Sequence, residues 1–129
     1  MSNNNLEYFK EWQKKAEEDF DSVKILLENN GIPAIICYHC QQVVEKYLKG
    51  YLVYNNVEFP KSHQLDVLLE EAVKINEAFK DYSDEVAPLN NYYIEARYPM
   101  DIKEDISINE AKIAFEIADK IKNFVLSKI

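Results

Sequence analysis

The chain is predicted to be all-α, a bundle of five helices that runs up and down in its main part. Apolar residues recur at steps of three and four along most of its length. Only two Gly and four Pro are present, too few for the many turns of an all-β fold. The breakers fall between the periodic stretches, so each stretch reads as one helix. At 129 residues the chain is read as one domain, 1–129, long enough for a hydrophobic core without disulfide staples.

The first helix is expected from about Leu6 to Glu28, where Trp12, Ala16, Phe20, Val23 and Leu27 share one face. Asn29-Asn30-Gly31 stops it, with Gly31 assigned the left-handed cap conformation. Pro33 suits the first turn of a second helix that runs to about Tyr54. Its wide stripe is Ile36, Cys40, Val43, Val44, Tyr47, Leu48 and Tyr51, and Ile35, Cys37 and Tyr38 are apolar off that stripe. A helix apolar on more than one side is either central or faces a partner chain. After the extended link Phe59-Pro60-Lys61, Ser62 is the expected N-cap of a third helix that buries Leu65, Leu68, Leu69 and Ala72. A fourth helix from about Phe79 carries Tyr82, Val86, Leu89 and Tyr93, is kinked or restarted at Pro88, and ends at Tyr98-Pro99. Ser107-Ile108-Asn109-Glu110 is a capping box that opens the last helix, whose stripe is Ala114, Ile117, Ala118, Ile121 and Val125.

The formal net charge of −8 opposes non-specific binding to nucleic acid, which needs Lys and Arg to displace counterions from phosphates. No apolar run reaches membrane-spanning length. The start, Met1-Ser2-Asn3-Asn4-Asn5, lacks the regions of a secretory signal. With only two Cys, this points to a reducing cytoplasm.

No phosphate-binding glycine loop and no nucleophile elbow is present, and neither cofactor nor metal is expected. Cys37 and Cys40 form a Cys-x-x-Cys, but a redox pair of this kind belongs to a βαβ context and a zinc site needs four ligands. Two small residues packed inside a helix is the expected reading. His39, Gln42 and Lys46 lie three and four apart on one polar side of the second helix. That side is either a solvated face or a groove for a ligand or partner. His63, next to Ser62, is expected to bond locally. Arg97 is the one Arg among 15 basic residues. Its planar fork suits carboxylate or phosphate in a way that Lys cannot copy. It stands between Tyr93 and Tyr98 and just before Asp101, so it either clamps an anion or locks the helix end.

Three segments together carry a family resemblance. They are Ala16-Glu17-Glu18-Asp19-Phe20, with Leu26-Leu27 following; the run from Cys37 through His39, Gln41-Gln42 and Glu45-Lys46 to Leu48-Lys49; and Tyr92-Tyr93-Ile94-Glu95-Ala96-Arg97-Tyr98-Pro99. Lys61-Ser62-His63-Gln64-Leu65 falls between them. From about Trp12 to Val125 the chain resembles the HEPN domain (higher eukaryotes and prokaryotes nucleotide-binding). The resemblance implies a four-helix up-and-down bundle with an additional shorter helix, usually a homodimer. It also implies a minimal nucleotidyltransferase as partner and a possible nucleotide ligand. In this subgroup the matching ligand-binding candidates are His39, Gln42, Lys46, Arg97, Tyr98 and Asp101. Some members are toxins of toxin–antitoxin pairs that cut RNA without metal, using an Arg followed after four to six residues by His. Here Arg97 is followed by Tyr98-Pro99-Met100-Asp101-Ile102-Lys103-Glu104, and both His precede it. The ribonuclease motif is absent, so no catalytic residue is assigned. A binding and interaction module is expected ahead of a ribonuclease with a divergent site.

Overall fold

The computed structural model describes residues 3–92 and 106–129, which form α-helices joined by turns, with no strand among the described residues. The helices are α1 (Asn3–Glu28), α2 (Pro33–Tyr54), α3 (Leu65–Ile75), α4 (Ser83–Val86) and α5 (Ile108–Leu126). Two 3-10 segments, Glu77–Tyr82 and Ala87–Tyr92, flank α4 and make one irregular helical rod with it.

Contacts fix the direction of each element. Asn5 donates to the Tyr54 carbonyl while Asp19 meets His39, so α1 and α2 are antiparallel. Lys122 reaches Glu17 and Phe115 stacks on Phe20, so α5 also opposes α1. Along the irregular rod, Phe79 meets Phe124, Glu85 meets Lys120 and Tyr92 meets Glu110, so that rod opposes α5. The bundle is therefore α1 up, α2 down, rod up and α5 down, with α3 as the additional short helix. This is the architecture expected from the sequence.

The helix α2 is central. It packs on α1, α3 and α5, and none of its residues is exposed. Of its apolar residues off the main stripe, Cys37 is fully buried, and Ile35 and Tyr38 are half-buried. Gly50 lets α1 come close, since a Cβ there would lie 3.1 Å from both Phe9 Cδ1 and Trp12 Cβ.

Three local expectations are corrected. The left-handed residue after α1 is Asn30 (φ 54°), not Gly31. Gly31 instead donates its N–H to the Leu26 carbonyl at 2.7 Å, closing the helix end, and a Cβ on it would lie 2.7 Å from Leu26 Cβ. The end of α2 repeats the device, with Asn56 at φ 60° and Val57 N–H on the Leu52 carbonyl at 2.9 Å. Second, Ser62 does not cap α3. Its Oγ accepts from Gln64 N–H, and the first N–H of α3, on Leu65, donates to Asn90 Oδ1 at 2.6 Å. A residue 25 positions away does the capping, which no local pattern reveals. Third, the expected fourth helix is not one continuous α-helix where it is described. Pro88 has no N–H to donate back, and the chain tightens into 3-10 geometry around it. At α5 the predicted cap is present, with Ser107 Oγ accepting from Glu110 N–H at 3.1 Å.

Candidate functional site

Because α2 is enclosed, its polar side chains must find partners inside the bundle. They do so in two adjoining groups. In the first, Asp19 reaches across from α1: Oδ1 lies 2.8 Å from His39 Nδ1 and Oδ2 lies 2.5 Å from Lys46 Nζ. The carboxylate is nearly covered, at 12% side-chain exposure, with His39 at 27% and Lys46 at 23%. Burial by itself raises the Asp19 pKa, but the hydrogen bonds and charges of His39 and Lys46 more than reverse this and hold it below the ordinary carboxylate value. Asp19 is therefore ionised at neutral pH and can only accept. The bond between them therefore needs the proton on Nδ1 of His39. Tyr38 stands edge-on to the imidazole, with centroids 5.3 Å apart.

The second group centres on Glu45, which is nearly buried. It accepts from Gln41 Nε2 (3.0 Å) and Lys49 Nζ (3.1 Å), and His63 Nδ1 lies 3.3 Å from both of its oxygens. Gln41 also donates to the His63 carbonyl, and Gln42 donates to Gln41 Oε1 at 2.6 Å. Lys49 is flanked by the rings of Trp12 and Phe59, 5.8 and 5.3 Å from its Nζ. The group ties the extended 55–64 link to α2. Nearby, Glu17 accepts from Tyr47 Oη (2.7 Å) and Lys122 Nζ (2.8 Å). Burial, and then this bond, push the Tyr47 phenol pKa up.

Of the six site residues expected from the sequence, His39 and Lys46 are brought together, on Asp19. Gln42 shares their side of α2 but is almost buried and belongs to the Glu45 group. Arg97, Tyr98 and Asp101 lie outside the described residues, as does Tyr93. The side is not freely solvated: Gln42 is almost buried, and His39 and Lys46 are half-buried against Asp19 of α1. His63 was expected to bond locally near a helix start; instead its Nδ1 lies 3.3 Å from both oxygens of Glu45 on α2. Burial, then the neighbouring Cys37, push the Cys40 thiol pKa well up, which keeps it a protonated packing group. Among the described residues, no three or more His, Cys, Asp or Glu side chains are disposed to hold a metal. None of the described helices is long and apolar enough to cross a membrane.

Asp19 is the residue that sequence reasoning missed. The signal was available: it stands three after Ala16 and four before Val23, inside the apolar stripe of α1. A carboxylate there must be paired.

The HEPN domain family matches residues 9–129. The chain belongs to that family. A candidate toxin of Methanocaldococcus jannaschii, MJ1304, is 32% identical over 102 residues, covering 74% of this chain and 66% of the relative. The chain thus aligns with just under two thirds of that relative's length. A crystal structure titled as that of ST0689, an archaeal HEPN homologue, superposes with a TM-score of 0.75 at 22% identity, covering 93% of this chain and 96% of the other. At that identity it supports the fold alone.

Proposed function

We propose that this HEPN protein is a binding and interaction module that holds a nucleotide and works as a homodimer beside a minimal nucleotidyltransferase. The observation that carries the nucleotide reading is the half-buried seam in which Asp19 orders His39 and Lys46 on the side of α2 that also bears Gln42. Ordering of polar groups in advance is what a ligand site needs, because binding then costs less side-chain entropy. Arg97 supplies the bidentate phosphate clamp in this reading, and Tyr98 a stacking surface. The homodimer leans little on α2, where none of the residues is exposed. It leans on Ile25, Ile32 and Ile113, which are 61%, 66% and 56% exposed.

Calorimetry with adenosine and guanosine nucleotides, and with a purified minimal nucleotidyltransferase, tests the proposal. Saturable heat that weakens in Arg97→Ala and Lys46→Ala is expected. Folded protein that gives no heat with nucleotide or transferase overturns it. Light scattering that returns the mass of one chain overturns the homodimer.

The relationship to a candidate toxin favours a second reading, a metal-independent ribonuclease with a divergent site. There His39 would act as base and Arg97 would stabilise developing charge. It requires RNA cleavage that survives chelators and is lost in Arg97→Ala. RNA that stays intact with excess protein rules it out.

A further inference from the structure

The helix α3 and the irregular rod form a hairpin. Leu65 N–H at the start of α3 donates to Asn90 near the end of the rod, and Asn76 joins their other ends, so the two arms are antiparallel. Leu68 and Ala72 on one arm and Phe79, Val86 and Leu89 on the other are spent on the core. Between the arms lies a groove of about 300 Å3. Its apolar lining is Leu69 and Val73 of α3 with Ala87 of the rod, and its charged lining is Asp66, Glu70 and Asp84. Leu69 is buried and Val73 half-buried, whereas all three acids are exposed, which sets an apolar floor beneath an acidic rim.

The rim is short of cations. Asp66 accepts from Asn90 Nδ2 at 3.0 Å, but Glu70 and Asp84 have neither an ion pair nor a hydrogen bond among the described residues. Lys74, one turn along from Glu70, is held by Glu71 at 3.2 Å. Between Leu65 and Tyr92 seven carboxylates stand against two lysines, so most of the chain's formal charge of −8 falls on this hairpin. Lys120 of α5 neutralises Glu85 alone.

An apolar floor under unpaired carboxylates suits a lysine or arginine side chain, whose methylene stem lies on apolar surface while its head stays charged. The same field repels phosphates and acidic segments, and it disfavours a second copy of this acidic chain. Small-molecule pockets run from about 300 to 1,000 Å3, so this groove takes little more than one such side chain. Glu77 and Asp81, exposed toward the turn of the hairpin, extend the negative surface beyond the groove, as a partner bearing several cations requires.

We propose that the groove between α3 and the rod docks a basic amphipathic segment of a partner protein, with a lysine or arginine stem over Leu69 and Val73 and its head between Glu70 and Asp84. The docking site shares no residue with the Asp19 seam and does not depend on the nucleotide reading.

Titration of the 15N-labelled protein with a short amphipathic lysine–leucine peptide tests it. Saturable binding is expected, with amide shifts centred on α3 and residues 83–87. The double variant Glu70→Gln with Asp84→Asn should keep its melting temperature, since neither side chain holds the fold, and should bind roughly tenfold more weakly, the effect of losing two exposed ion pairs. Removing the same charge elsewhere, with Glu7→Gln and Glu11→Gln on the exposed side of α1, should leave the affinity in place. A lysine–serine peptide should bind more weakly than the lysine–leucine one. No saturable binding at millimolar peptide, shifts centred away from the hairpin, or equal losses in the two double variants overturns the docking site. Equal affinity for the lysine–serine peptide or for spermidine shows a site for cations alone and overturns the amphipathic partner. Self-association that the Glu70/Asp84 variant abolishes would put a second copy in the groove and overturn it likewise.

Discussion

Replacing Glu45 by Leu removes the acceptor at the centre of the second polar group and leaves the Lys49 ammonium without its carboxylate. Lys49 has 10% side-chain exposure and Glu45 5%, so both ends of their 3.1 Å bond are desolvated. Breaking such a pair from one side costs about 3–5 kcal/mol, because the remaining charge stays buried. The rings of Trp12 and Phe59 beside Nζ, together with the reach of the lysine stem toward solvent, place the expected loss near the lower end, about 3 kcal/mol. Gln41 keeps an acceptor in the His63 carbonyl and adds little to the loss. For a chain of this size the melting temperature should fall by roughly 10 °C. Urea and thermal melts followed by circular dichroism measure it. The decisive comparison is the double variant Glu45→Leu with Lys49→Met. It removes both charges at similar volume and should recover most of the loss, since a buried pair exchanged for apolar residues is often neutral or better. A single variant that loses less than about 1 kcal/mol, or a double variant no more stable than the single, would refute the claim that the pair is desolvated.

Three further outcomes are expected. Gly50→Leu should destabilise by about 1–3 kcal/mol through overpacking where α1 crosses α2; unchanged denaturant midpoints would contradict the close approach. Asn30→Gly should hold or raise stability by a few tenths of a kcal/mol, and Asn30→Ala should lower it by about 1 kcal/mol, because φ 54° penalises a Cβ; thermal melts of the two variants should therefore separate in that order. The Asp19 pKa is depressed on folding, so its contribution is present above the unfolded value near 3.8 and fades as pH falls through the lower folded value. Native protein should accordingly exceed Asp19→Asn in stability at neutral pH, and the gap should narrow below about pH 4 in pH-resolved urea melts.

Much of the fold could be read from periodicity. The stripes of α2 and α3 are buried as expected, those of α1 and α5 are buried except for the half-buried Trp12, Leu27 and Ile117, and Ser107 caps α5. Where short-range rules failed, longer-range contacts had overridden them. Asn90 capped α3 in place of Ser62, and crowding against Leu26 explained a glycine that had been assigned to a left-handed turn. The site was harder to read. His39 and Lys46 could be placed on one side of α2, but their common partner lies on α1, 20 and 27 residues away.

The sequence alone determined the helical class and the family, because helix periodicity and short motifs are local properties that survive without coordinates. Only the tertiary structure decided what the polar side of α2 does. Hydrogen bonds and charge pairing depend on separations of a few ångströms between helices, and no spacing along one helix encodes which carboxylate of another will face it. That is why three residues that read as one polar side of α2 belong to two ordered networks.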